Sequence, residues 1–73
     1  MQFVAAFDTL AAAEACAVRY FNNAQKQTLS DDSYAFYSGN AQFQIWVYRD
    51  EESESWFVIH CPPNSWIANL VNV

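Results

Sequence analysis

Glycine and proline are scarce in this 73-residue chain, which holds one of the first and two of the second. That scarcity argues against a disordered or low-complexity segment. With Gly39 as the sole glycine, no glycine-rich phosphate loop can be assembled. Positive charge is scarce too: three Lys and Arg face eight Asp and Glu, for a formal net charge of -5 at pH 7. Binding to a nucleic-acid backbone draws on counterion release by several Lys or Arg, so direct nucleic-acid binding is close to excluded as the main activity. The two cysteines, Cys16 and Cys61, and the lone histidine, His60, are too few for a disulfide scaffold. A zinc site would have to recruit carboxylates as well. No run approaches 18 apolar residues, so no membrane span is expected. The apolar start from Met1 to Phe7 lacks the positive charge of a signal peptide, and Asp8 interrupts it. The expectation is one soluble, cytoplasmic domain over residues 1–73 with two free thiols; a Cys16–Cys61 bridge is the alternative.

What the chain does contain is apolar and aromatic: 53% of it is hydrophobic and 18% is Phe, Trp or Tyr. At this length, that supports one two-layer core. Phe3, Ala5 and Phe7 alternate with Gln2, Val4 and Ala6, which predicts a first strand. Asp8 or Thr9 is placed to cap a following helix. From Leu10 to about Lys26 there is no Gly or Pro and much Ala, and Leu10, Ala13, Ala17, Tyr20, Phe21 and Ala24 make one stripe at helical spacing. Residues 27–32 read as the exit and turn.

Two apolar segments, 33–38 and 41–49, flank Gly39-Asn40, a pair suited to a tight hairpin turn with Gly at positive φ. That turn would set Phe36 against Phe43 and Tyr34 against Ile45, with Val47 on the same face. Ala35, Tyr37, Gln42, Gln44, Trp46 and Tyr48 share the other. Ser55 to Cys61 is the last strand, with Phe57, Ile59 and Cys61 on one face and Trp56, Val58 and His60 on the other. Pro62-Pro63 ends it. The tail reads as a short helix or strand. The predicted fold class is therefore α+β: β-α-β-β-β, a four-stranded antiparallel sheet with one helix packed on one face and a short C-terminal helix or strand.

Chemistry is sparse. Neighbouring residues of a strand point to opposite faces, so His60 and Cys61 cannot act as a nucleophile and its base. The acids from Asp50 to Glu54 are contiguous and lack the central glycine of a calcium loop. No pair of carboxylates is placed to converge in a pocket. No enzyme, cofactor or metal site is expected. The candidate site is instead a protein-binding surface. Tyr37, Trp46, Tyr48 and Trp56 are expected on the sheet side away from the helix, where Tyr and Trp serve as interface anchors. Trp66 and the C-terminal segment are expected either to cover that patch or to leave it to a partner. Asp31, Asp32, Asp50, Glu51, Glu52 and Glu54 are expected at one end of the sheet, concentrating negative charge.

In size, acidity and poverty of motifs the chain resembles the small inhibitor proteins that bacteriophages encode against host defence or regulatory machinery. The resemblance is one of general character and carries no residue motif. It implies an anti-defence or anti-CRISPR-like role, in which the protein occludes a basic, nucleic-acid-handling host protein. The alternative is a structural or assembly protein that forms a small homo-oligomer, such as a homodimer, through its aromatic sheet face.

Overall fold

Asp8 and Thr9 end the first strand and start the helix. In the structure, a computed structural model that describes residues 2–39 and 42–61, strand β1 (Gln2–Phe7) stops just before this pair and helix α1 (Leu10–Val18) begins just after it. Thr9 is the N-cap: its backbone is extended, and its Oγ1 accepts a hydrogen bond from the Ala12 N–H at 3.2 Å. That satisfies one of the donors a helix start leaves unpaired. Strands β2 (Gln25–Ser30), β3 (Ser33–Tyr37), β4 (Gln44–Asp50) and β5 (Ser55–Cys61) follow. All five strands form one antiparallel sheet in the order β1-β5-β4-β3-β2. β1 and β2 are thus opposite edges, and α1 with the residues after it carries the chain from one to the other.

The expected four-stranded sheet is one strand short. The helix ends at Val18 instead of running to Lys26, and Gln25–Ser30 is a strand. After the alanine-rich stretch come Val18, Tyr20, Phe21, Asn22 and Asn23, all weaker helix formers. The last turn tightens as the Tyr20 N–H donates to the Ala17 carbonyl and the Phe21 N–H to the Val18 carbonyl, each at 3.2 Å. β2 has Leu29 as its only apolar residue, so alternation gives no sign of it. Pairing with β3 makes it a strand, aided by the short turn at Asp31-Asp32, where the Ser30 and Ser33 hydroxyls are hydrogen-bonded at 2.6 Å. Lys26 ties this edge to the helix through an ion pair with Glu14 at 2.6 Å, and its Nζ lies 4.3 Å from the centre of the Tyr34 ring.

The β3–β4 hairpin also differs from expectation. Phe36 pairs with Ile45 and Tyr34 with Val47, two residues away from the predicted register. A shift of two preserves the faces, because side chains alternate with a period of two. The connection is longer than a two-residue turn, and Gly39 does not adopt positive φ.

In β1 the faces change partway along. The register against β5 slips between Phe3 and Ala5. This bulge allows Val4 and Phe7, three residues apart, both to pack on the helix side, while Phe3 turns to the other. Phe3, Ala5 and Phe7 therefore do not share one face as expected.

Ala13 and Ala17 pack with Phe36, Ile45, Val47 and Val58 in the main core. Their small side chains let the helix lie close to the sheet. Phe43 fills the far end, stacked between Phe21 (centroids 5.3 Å apart) and His60 (4.7 Å). Cys16 borders this core, whereas Cys61 is buried on the opposite face with Ala35 and Ile59. Both thiols are free, so the bridge is ruled out by the sheet between them. The expected C-terminal element and Trp66 lie outside the described residues.

Candidate functional site: an acidic pole beside an aromatic row

The face opposite the helix carries a row of rings that runs across four positions of three strands. Phe3 on β1 meets Phe57 on β5 edge-on, with centroids 5.4 Å apart. Phe57 meets Tyr48, its cross-strand partner on β4, at 5.6 Å in another edge-to-face contact. Tyr48 and Trp46, two residues apart on β4, continue the row at 5.5 Å. Edge-to-face geometry is the arrangement ring quadrupoles favour, so each such pair contributes about 0.5–1.5 kcal/mol beyond its buried area. Phe3, at the end of the row, is 58% exposed.

Trp46 and Tyr48 thus occupy the expected face, and Tyr37 shares it by alternation with Ala35 at the far end of β3. Trp56 does not. It packs on the helix side with the main core, its ring 6.4 Å from that of Tyr34. The predicted Trp46–Tyr48–Trp56 patch is therefore split by the sheet, and Phe57 takes the place given to Trp56. Both sets of β5 side chains are apolar, so alternation separates Trp56 from Phe57 but does not say which set meets the helix. Sequence reasoning missed Phe57 for that reason, and Phe3 because the bulge reverses its side.

Charge gathers at one end of the sheet. Asp8 follows β1, Asp31 and Asp32 form the β2–β3 turn, and Asp50, Glu51, Glu52 and Glu54 belong to the β4–β5 connection. Antiparallel order brings these three places together: the Arg49 N–H donates to the Asp32 carbonyl at 2.9 Å, and Phe7 pairs with Trp56 just beyond the loop. Seven of the chain's eight carboxylates are thus at one pole, with Arg49 the only basic residue there. The eighth, Glu14, is already paired with Lys26. Asp8 was the acid not anticipated in this group; its place depends on β1 pairing with β5.

The β4–β5 loop has a fixed shape. Asp50 Oδ2 accepts hydrogen bonds from the Ser53 hydroxyl at 2.7 Å and from the Ser53 N–H at 3.0 Å. Hydrogen bonding from that hydroxyl, and secondarily from the N–H, holds the Asp50 carboxyl below its usual value. Glu54 closes the loop with φ 57°, the left-handed region rarely used by residues with a Cβ. Among the described residues no group of three or more His, Cys, Asp or Glu is arranged to hold a metal ion.

His60 lies on the helix side against Phe43, away from Trp46, and Cys61 faces the other way. Burial pushes the Cys61 thiol up to about 11, which keeps it protonated near neutrality. Among the described residues, no helix is long and apolar enough to cross a membrane. Comparison with protein-family models, with curated proteins and with solved structures found no match.

Proposed function

We propose that the protein is a small, non-catalytic binding module that docks its acidic pole on a basic surface of a partner protein. The observation that carries this reading is the collection of seven carboxylates at one end of the sheet. Such a concentration raises the rate of encounter with positive charge and repels acidic competitors. Tyr48 and Phe57 stand two residues inside this pole, at the ends of β4 and β5 that carry the acidic loop. They supply rings to desolvate once the charges have brought the partner in. A cytoplasmic protein that handles nucleic acid offers the matching surface, and occupancy there blocks phosphate binding by occupying the same positive field. This is the action of a phage-type inhibitor.

The test is capture of partners from a cell lysate, repeated with Asp50, Glu51, Glu52 and Glu54 all replaced by Ser. A second variant changes the three glutamates alone, so that Asp50 continues to hold the loop. Both variants are expected to lose the captured protein, and capture by the native chain is expected to weaken as salt rises. Capture that is indifferent to both variants and to salt overturns docking through the acidic pole.

A further inference from the structure

The two edges of the sheet differ in chemistry. The outer edge strand β2 carries Lys26, four polar residues and one apolar one, and Lys26 is engaged with Glu14 and Tyr34. The other edge strand, β1, reads Gln-Phe-Val-Ala-Ala-Phe, without charge or proline. Phe3 and Ala6 on it are exposed, and among the described residues β1 pairs with β5 alone. An edge strand offers a row of backbone N–H and C=O groups to any added strand, and charges or proline are the usual guards against pairing. β1 has neither. Its bulge between Phe3 and Ala5 interrupts pairing near one end only, leaving the stretch toward Phe7 regular.

We infer that β1 pairs with β1 of a second copy of this chain, antiparallel about a two-fold axis, to make one continuous ten-stranded sheet. The placement of charge along the strands fits a second copy in one direction only. A parallel arrangement would set two acidic poles side by side, and like charges in contact disfavour association. The antiparallel arrangement runs the Asp8 end of one β1 toward the Gln2 end of the other. That end is the opposite pole: Gln2 pairs with His60, His60 stacks on Phe43, and Phe43 stacks on Phe21, two residues beyond Arg19. A two-fold axis perpendicular to the sheet leaves both helices on one face and joins the two aromatic rows on the other. The acidic poles then point to opposite ends, each free to engage a basic surface. The inference stands whether or not the docking function holds, since it is read from mass and not from partner binding.

The experiment is sedimentation equilibrium of the full chain over a wide concentration range, with Phe3→Lys, Ala6→Lys and, on the other edge, Thr28→Lys. The native chain is expected to shift from one copy to two as concentration rises. Each β1 substitution occurs twice in a two-fold contact, so each is expected to raise the dissociation constant at least about tenfold. Thr28→Lys is expected to leave it unchanged. Ala6→Lys matters because Phe3→Lys also removes the contact with Phe57, and circular dichroism checks that each variant is folded. Asp8→Lys reads the direction: it is expected to weaken the dimer in the antiparallel arrangement. A single-copy mass at every concentration, a dimer insensitive to both β1 variants, or one tightened by Asp8→Lys overturns the inference.

Discussion

The two faces of this sheet are built from different materials. Under the helix lie Ile45, Val47 and Val58, fully buried and aliphatic, packed on alanines small enough to bring the helix close. On the other side Trp46, Tyr48, Phe57 and Phe3 touch ring to ring, and among the described residues only Ala35, Ile59 and Cys61 form a buried cluster. The difference shows which face holds the fold. Interdigitated aliphatic groups at close-packed density lose contacts when shortened, and the surrounding structure recovers few of them. A row of rings at the margin of a smaller cluster has more freedom to adjust.

Ile45→Ala and Tyr48→Ala turn this contrast into a measurement. Ile45 touches the helix-side core and is wholly buried, so its truncation is expected to cost about 2–5 kcal/mol. Marginal small domains hold about 5 kcal/mol or little more, so denaturant titration of this variant should show a chain close to unfolding. Tyr48→Ala removes two ring contacts from a half-buried site and is expected to cost about 1–2 kcal/mol, within the range of ordinary substitutions. Equal losses at the two positions would mean that the aromatic face is as much a core as the helix face.

Gln44 tests the aromatic face with the opposite sign. It begins β4 opposite Cys61, is only 6% exposed, and among the described residues its Oε1 has no hydrogen-bond partner. A buried acceptor without a partner costs about 1–3 kcal/mol. Gln44→Met keeps the length of the side chain and removes that acceptor, so a gain of about 1 kcal/mol is expected by thermal or denaturant unfolding. A loss instead would show that the amide contributes packing or polarity that a thioether does not replace.

The same contrast marks what the sequence could reveal. Alternation sorted β3, β4 and β5 into their two sets of side chains, because that period survives even a two-residue slip of register, as the Phe36–Ile45 pairing shows. A cap at Asp8 or Thr9 and the Leu10–Ala13–Ala17 stripe were equally legible, being local, and the structure chooses Thr9. Three things were not. β2 is polar, and it is a strand because β3 lies beside it. The bulge that sends Phe3 and Phe7 to different sides leaves no mark in a segment apolar at nearly every position. The side taken by Trp56 depends on which of two apolar sets the helix covers, a choice made by the packing of whole layers. Of the candidate site, the turn and loop acids and the face of Trp46 and Tyr48 were readable from their positions in the chain, while the places of Phe3 and Phe57 in the row required coordinates.

The two thiols give the gentlest probe of the two faces, because each reports on one of them. Cys16 is half-buried at the border of the helix-side core, and Cys61 is fully buried on the aromatic side. With iodoacetamide at pH 8, the native chain is expected to be alkylated at Cys16 well before Cys61, with peptide mass mapping as the readout. The pH dependence of stability follows from the raised Cys61 value of about 11, against 9.0 for the unperturbed thiol. Below pH 9.0 the thiol is protonated both folded and unfolded, so it makes stability neither rise nor fall with pH. Between there and about 11 the unfolded chain gives up the proton first, and stability falls, by at most about 1.4 kcal/mol per pH unit for one group. The comparison is with Cys61→Ala, whose stability should fall less steeply over this window than that of the native chain. Parallel slopes, or Cys61 labelled as fast as Cys16, would mean that the aromatic side does not shield its thiol from water, and that the helix side alone forms a closed interior.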